Sequence, residues 1–166
     1  MSIFPTRILL ATDGSEEAEL ATLRAVELAQ RTDSELHVVH VGLVPNFLAS
    51  YPGTLGYNRM LYEQIEEESR ELLRKLSWRV KAAGGTVART HLRMGEVDLE
   101  IVALARELGA DLIVMGCRGH RGLRRVIEGS ISDAVIRHAP CPVLVVRSHE
   151  RVEASEQSAL LQEGDR

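Results

Sequence analysis

Short apolar runs alternate with longer amphipathic stretches along most of the chain. The apolar runs predict five strands, at Arg7–Thr12, Leu36–Val41, Thr86–Leu92, Leu112–Met115 and Pro142–Arg147. Apolar positions at helical spacing predict four helices between them, which begin near Ser15, Arg59, Gly95 and Ser130. Strands that alternate with helices in this way are typical of a parallel sheet covered by helices on both faces.

The predicted fold is therefore α/β, with three α/β/α layers around a five-stranded parallel sheet of order 3-2-1-4-5. That order follows because parallel crossovers are right-handed and a doubly wound sheet reverses its direction once. The reversal falls between the first and fourth strands, and ligands bind at such a point, outside the carboxyl ends of the strands. Thr12 and Asp13 end the first strand and Gly116 ends the fourth, so we expect them to line one crevice.

The length of 166 residues predicts one domain, residues 1–148, followed by an acidic tail. The tail, residues 149–166, holds five acidic residues and two arginines and so carries −3 of the net −4. It lacks periodicity and a capped helix start, so we expect it to be disordered or weakly helical. The rest is nearly neutral, which argues against nucleic acid as a partner.

Two further absences restrict the setting of the protein. The sequence has no run of eighteen apolar residues, so we expect no membrane span. The two cysteines, Cys117 and Cys141, form no CxxC motif and suggest no disulfide framework. Their pattern favours a reducing cytoplasm.

Residues 111–136 contain four glycines between the fourth strand and the helix that begins at Ser130: Gly116, Gly119, Gly122 and Gly129. A helix start after such a connection presents free N–H groups and a positive dipole end, which suit a phosphate. The alternative is that the glycines only let the backbone turn. One or two glycines are enough for a turn, so the pattern favours an anion site.

Four other polar residues lie near the predicted crevice. Asp13 could accept hydrogen bonds from a ribose, a base edge or a metal-bound water, or it could only brace the turn into the first helix. Glu16 and Glu17 bring negative charge to the first turn of that helix, which makes it a poor phosphate site. His40, near the end of the second strand, could be a ligand or a polar wall, and no role is assigned to it.

Common nucleotide signatures are missing from the sequence. No GxGxxG follows the first strand, which disfavours an NAD-type fold, and no GxxxxGK[ST] provides a P-loop lysine. The SGGxDS-like loop of the ATP pyrophosphatases is absent as well.

The spacing Gly116-x2-Gly119-x9-Gly129-Ser130 resembles the nucleotide-binding signature of the universal stress protein family. Four further segments resemble blocks of that family in the same order: Arg7–Ser15, Leu36–Val41, Ala110–Gly116 and Ala139–Val146. The resemblance implies an adenine nucleotide alpha hydrolase-like, Rossmann-like fold. It also implies that the ligand is ATP, with ADP and AMP as alternatives and room for Mg²⁺ beside the triphosphate.

Position by position, the resemblance implies nucleotide contacts from the ends of the first, second and fourth strands and from the glycine-rich connection. The residues are Ala11, Thr12, Asp13, Val41, Met115, Gly116, Arg118, Gly119, His120, Gly129, Ser130, Ile131 and Ser132. Val41 matches an apolar contact, while the glycines and the two serines match ribose and phosphate contacts. Arg118 and His120 could clamp phosphates or simply be solvated. No catalytic and no metal-binding residue is assigned.

Binding is better supported than catalysis, because no triad or dedicated general base is visible. We expect a sensor whose nucleotide state alters a surface that an unknown client protein reads. One alternative is a slow ATPase or another nucleotide-dependent enzyme. A second is a structural, stress-induced dimer in which the nucleotide is incidental.

Two further segments bear on partners. Val143–Val146 is an apolar run at the expected edge of the sheet, and a bare edge of this kind pairs readily. We therefore expect a homodimer through antiparallel pairing of this strand, as the resemblance also implies. Gly42–Asn58 is expected to be a loop, either a lid or partner surface or, as we favour, an insertion packed on the domain.

Overall fold

A computed structural model describes residues 5–43, 55–117 and 131–148. Within these ranges the strands are β1 (Arg7–Ala11), β2 (Glu35–Leu43), β3 (Arg89–Gly95), β4 (Leu112–Gly116) and β5 (Val143–Val146). The helices are α1 (Glu16–Thr32), α2 (Leu55–Ala82), α3 (Val97–Leu108) and α4 (Ile131–His138). The expected acidic tail and most of the glycine-rich connection lie outside the described residues.

The five strands form one parallel sheet in the order β3-β2-β1-β4-β5, which confirms the prediction. β1 is the central strand. Its last residue, Ala11, pairs with Val39 of β2 on one side and with Met115 of β4 on the other. The chain that leaves β1 therefore emerges between the ends of β2 and β4, where the strand order reverses.

Helices cover both faces of the sheet, so the layers are those expected. One core joins α1 and α2 to side chains such as Leu10 and Val38, and the other joins α3 and α4 to Leu9 and Val39. Ile8, Leu9 and Leu10 are each 0% exposed, as expected for a central parallel strand. Because β1 packs against side chains on both faces, the core fixes the position of its carboxyl end.

α1 packs against the sheet through small side chains. Ala18, Ala21 and Ala25 are buried along one side of the helix, and this side lets the helix approach the strands closely. Ser15 caps the first turn by accepting a hydrogen bond from the N–H of Ala18 at 3.3 Å. The close packing brings the start of α1 next to the ends of β1 and β4.

The predicted bounds of β3, β2 and α2 were wrong. β3 runs from Arg89 to Gly95 rather than over Thr86–Leu92, because its ladder with β2 begins at His37 and continues to Leu43. β2 likewise continues to Leu43, and α2 begins at Leu55, so the expected loop Gly42–Asn58 is shorter at both ends. The remainder of that loop lies outside the described residues. The expected edge position of β3 is confirmed.

α2 is 28 residues long and carries ion pairs along its exposed side, including Arg59–Glu63 at 2.9 Å and Arg74–Glu71 at 2.8 Å. Such pairs are neighbours on a helical surface. None of the described helices combines enough length with enough apolar character to cross a bilayer.

Candidate functional site

The chain turns sharply between β1 and α1, and backbone N–H groups along the turn donate to nearby oxygens. The N–H of Thr12 donates to the carbonyl of Val39 at 3.0 Å and extends the ladder by one residue. The N–H of Gly14 donates to Oγ1 of Thr12 at 3.2 Å. Gly14 has φ +76°, a backbone conformation that glycine adopts without steric cost. The turn is therefore held by its own side chains.

Asp13 lies half-buried in the middle of this turn. Its Oδ1 accepts a hydrogen bond from the N–H of Ser15 at 3.0 Å, so the bracing role considered in the sequence analysis is confirmed. An ionised carboxylate has about four lone-pair positions, and this bond occupies one of them. The brace therefore orients the carboxylate at the end of β1 without excluding a second role.

Gly116, at the end of β4, lies against the first turn of α1. A Cβ atom at this position would be 2.9 Å from the carbonyl carbon of Glu17 and 3.0 Å from the backbone nitrogen of Ala18. Because these are backbone atoms, a side chain would force the helix away from the strand. Glycine is thus required here for packing, in addition to any contact with a ligand.

Glu17 occupies an environment that its sequence position did not indicate. The pattern suggested a helix-start charge, whereas the residue is only 5% exposed and its backbone packs against Gly116. Buried carboxylates are uncommon outside functional or paired positions. A buried acidic residue beside the glycine-rich connection was therefore missed, and the sequence offers no signal that separates it from Glu16.

Three predicted contacts form an apolar strip at the carboxyl ends of neighbouring strands. Ala11 on β1, Val41 on β2 and Met115 on β4 are 6–7% exposed and belong to the core on the α3 and α4 face. Ile131, at the start of α4, packs against the same core. These side chains close the core at the carboxyl edge of the sheet, on the face that α3 and α4 cover.

Ser132 ties the start of α4 to the end of β4. It is 4% exposed, and its hydroxyl donates to the carbonyl of Cys117 at 3.2 Å. The N–H of Cys117 in turn donates to the carbonyl of Val146 at 2.8 Å. These bonds place Ser132 at the carboxyl end of β4, where Gly116 lies. The other predicted contacts, Arg118, Gly119, His120, Gly129 and Ser130, lie outside the described residues.

His40 joins the site although the sequence analysis assigned it no role. Its Nδ1 lies 2.7 Å from the carbonyl oxygen of Thr12. A carbonyl can only accept, so Nδ1 must carry the proton. The ring is half-buried at the carboxyl end of β2. The available signal was a polar residue near the end of a mostly apolar strand, and the partner of its ring was not visible in the sequence.

A groove of about 510 Å³ adjoins the turn on the other face of the sheet, between α1 and α2. Thr12 and Gly14 form one wall, and charged side chains form much of the rest. These are the carboxylates of Glu19, Glu67, Glu68 and Glu71 and the cations of Lys75 and Arg79. Arg79 is paired with Glu19. The excess of negative charge makes this groove unfavourable for phosphate.

Ionic contacts are prominent at the opposite, amino end of the sheet. Glu35 has a pKa below its usual value because Arg7 donates a hydrogen bond to it and the ring of His37 lies beside it. Asp111 has a lowered pKa because Thr6 donates to it through side chain and backbone. Burial, and then the neighbouring His37, lower the pKa of His91. No group of three or more potential metal ligands occurs within the described ranges.

Comparison with known proteins gives a consistent result. A model of the universal stress protein family matches residues 5–147. A putative universal stress protein of Staphylococcus haemolyticus is 41% identical over 144 residues, which cover 86% of this chain and 85% of that protein. Universal stress protein UspA from Lactobacillus plantarum is 27% identical with a TM-score of 0.76, and the match covers 88% of this chain and 100% of that one.

Two more distant solved structures contain an adenine nucleotide. One is a universal stress protein in complex with cAMP, 24% identical with a TM-score of 0.64, and the match covers 87% of this chain and 98% of that one. The other is from Archaeoglobus fulgidus in complex with dAMP, 23% identical with a TM-score of 0.59 and coverage of 88% and 100%. At these identities the likeness shows a shared fold.

Proposed function

The chain belongs to the universal stress protein family, and from that premise we propose that its candidate site binds an adenine nucleotide, with ATP as the ligand. The observation that carries the proposal is the convergence at one end of the sheet of the braced Asp13, Gly116 and the tethered Ser132. They meet where the strand order reverses, the usual ligand position in open α/β sheets.

Each part of the site suits one part of the nucleotide. The apolar strip of Ala11, Val41 and Met115 offers a surface for the base, and the fixed carboxylate of Asp13 can accept from ribose hydroxyls. The glycine-rich connection and the start of α4 would hold the phosphates through backbone N–H groups. This division agrees with the roles that the family resemblance implies for Gly119, Gly129 and Ser130.

The choice of ATP rests on the resemblance of this chain to the family, above all on the spacing Gly116-x2-Gly119-x9-Gly129-Ser130. The related complexes with cAMP and dAMP are too distant to transfer a ligand, so ADP and AMP remain alternatives within the same class. Mg²⁺ would be carried mainly by the phosphates, because Mg²⁺ in nucleotide sites takes few protein ligands and Asp13 is the carboxylate at hand.

The arrangement favours binding over catalysis. Asp13 is engaged with Ser15, and the Nδ1 of His40 is engaged with Thr12, so neither is arranged as a dedicated base. We propose a cytoplasmic sensor whose bound nucleotide changes a surface that a client protein reads. Turnover above about 1 s⁻¹, the low end for typical enzymes, would instead support the ATPase alternative.

Identification of a copurifying nucleotide tests the proposal directly. The purified protein is denatured, and the released small molecules are identified by mass spectrometry. We expect the released molecule to be an adenine nucleotide. We also expect protein that has been refolded without nucleotide to bind ATP in calorimetry. If nothing is released and millimolar ATP produces no binding heat, the proposal is refuted. If Gly119→Val abolishes binding but leaves the cellular phenotype intact, the incidental-nucleotide alternative is supported.

We also propose that the protein is a homodimer through β5. This strand lies at the edge of the sheet, and Leu144 in it is 38% exposed. An apolar edge strand stabilises itself by pairing with another strand. Light scattering should show a dimer at micromolar concentration, and Leu144→Lys should shift it to monomer. Leu23→Lys, at another exposed leucine, is the matched control and should remain dimeric. A monomeric unmutated protein contradicts the proposal.

A further inference from the structure

The peptide unit between Thr12 and Asp13 sets the backbone position from which the carboxylate of Asp13 extends to its bond with Ser15. A peptide unit is planar, so its carbonyl oxygen and the following N–H and Cα move together. The amino side of Thr12 is fixed by the bond from its N–H to the carbonyl of Val39 at 3.0 Å. The ladder between β1 and β2 ends there, so the Thr12 carbonyl has passed beyond the regular strand pairing.

A hydrogen bond from the ring of His40 holds that carbonyl in place. Its Nδ1 lies 2.7 Å from the Thr12 oxygen, a short distance for a hydrogen bond from a nitrogen donor. His40 is on β2, whose other side is paired with β3, so the ring extends from a strand that is itself held in place. With both ends of Thr12 fixed, the plane that leads into Asp13 has one orientation.

We propose that His40 is a positioning residue of the nucleotide site, which sets the direction of the Asp13 carboxylate through the carbonyl of Thr12. The inference rests on the proposed function and goes one step deeper, because it names the group that orders the ribose-binding turn before the ligand arrives. Sites that are ordered in advance lose less affinity to conformational entropy.

The donor position on the ring makes a sharp test possible. Asparagine carries its amide nitrogen on Cγ, the atom to which Nδ1 of histidine is attached, so His40→Asn can keep the bond to Thr12. Glutamine places its amide near the position of Nε2, so His40→Gln cannot replace Nδ1 at the same location. His40→Ala removes the donor altogether.

We expect His40→Ala to weaken ATP binding about tenfold, the equivalent of one well-placed hydrogen bond, while His40→Asn stays within about threefold. His40→Gln should resemble alanine. His138→Ala is the matched control, because His138 makes the same type of contact, Nδ1 to the Ala134 carbonyl at 2.9 Å, at the far end of α4. It should leave ATP affinity unchanged.

Two measurements that need no nucleotide separate this inference from the proposed function. Nitrogen NMR of the histidine rings should show His40 as the Nδ1–H tautomer. Amide exchange of Gly14 and Ser15 should accelerate in His40→Ala and recover in His40→Asn. Equal ATP affinity in all His40 variants, or equal exchange, overturns the inference while the proposed function stands. Absence of ATP binding to the unmutated protein refutes the proposed function, and the exchange data then decide alone whether His40 orders the turn.

Discussion

The two ends of the sheet are built in different ways, and two histidines on the same strand illustrate the contrast. His40, at the carboxyl end of β2, holds a backbone carbonyl of the neighbouring turn. His37, at the amino end, contacts another side chain, with its Nδ1 3.1 Å from Nε2 of His91. One histidine fixes the backbone of a turn, while the other fastens two strands together.

The neighbouring contacts follow the same division. At the amino end, Arg7 pairs with Glu35 at 3.2 Å, and Asp111 accepts from the N–H and the hydroxyl of Thr6 at 2.9 and 2.7 Å. Both carboxylates accept hydrogen bonds from the start of the neighbouring β1 segment, at Thr6 and Arg7. The carboxyl end uses backbone groups and short side chains. Substitutions at the amino end should therefore change stability alone, and those at the carboxyl end should change ligand binding.

The largest difference is expected between two glycines. Gly116→Ala puts a Cβ against the backbone of Glu17, and overpacking of this kind costs about 2–3 kcal/mol of unfolding free energy. ATP binding should be lost with it. Gly109, at the amino end, has φ +59°, and a Cβ atom there would have room, because its nearest neighbour would be Arg7 Nη1 at 3.8 Å. Gly109→Ala should cost only about 1 kcal/mol from the backbone conformation and leave binding intact.

Urea denaturation and calorimetry measure the two quantities for both glycine variants. If Gly116→Ala and Gly109→Ala lose similar stability and bind ATP alike, the two ends of the sheet do not differ in the way described.

Two aspartates provide a second, smaller test. Asp13→Asn keeps an oxygen for the N–H of Ser15 but removes the charge, so ATP affinity should fall about tenfold while the unfolding free energy changes little. Asp111→Asn weakens the bonds from Thr6 and should cost about 1 kcal/mol of stability without affecting ATP binding. Unchanged ATP affinity in Asp13→Asn would show that Asp13 only braces the turn.

The smallest effect concerns pH. The folded protein lowers the pKa of His91 below its ordinary value of 6.5, first through burial and then through His37. Below that pH the unfolded chain binds more protons than the folded protein. The contribution of neutral His91 to the free energy of unfolding is therefore fully present above about pH 6.5 and is lost as the pH falls through the lowered pKa. The charged groups around the His37–His91 pair are Arg7, Glu35, Arg89, Arg93 and Glu107.

His91→Gln tests the effect, because its amide can reach the position of Nε2 and does not titrate near neutral pH. Urea unfolding between pH 8 and pH 5 should show a shallower loss of stability in His91→Gln than in the unmutated protein. His138→Gln is the control and should keep the original slope. Parallel slopes for all three proteins would rule out a role of His91 in the acid sensitivity.

The sequence was informative where burial produces a regular pattern. The alternation of apolar runs and amphipathic helices was sufficient to predict the strand order and the meeting of β1 and β4 at one crevice. It misplaced β3, because an edge strand that contains Arg89, His91 and Arg93 lacks the apolar signature of a buried one. It also placed the start of α2 too late, because Gly56 and Tyr57 resemble loop residues although they lie within the helix.

The candidate site shows the same limit more clearly. Asp13 and Gly116 could be selected because they end strands that the topology brings together. His40 and Glu17 could not, because their roles depend on contacts with the Thr12 carbonyl and with Gly116. Such contacts depend on how closely two elements approach each other, and the periodicity of one segment does not contain that information.

The alanine side of α1 has a consequence for genetic screens. Ala21 and Ala25 are both 0% exposed, and they allow the helix to lie close enough for its first turn to contact Gly116. A bulkier residue at either position would push the helix outward and displace the turn from Thr12 to Ser15 that precedes it. Random mutagenesis for loss of the proposed nucleotide binding should therefore recover changes at these alanines, which lie further along α1 than the candidate site.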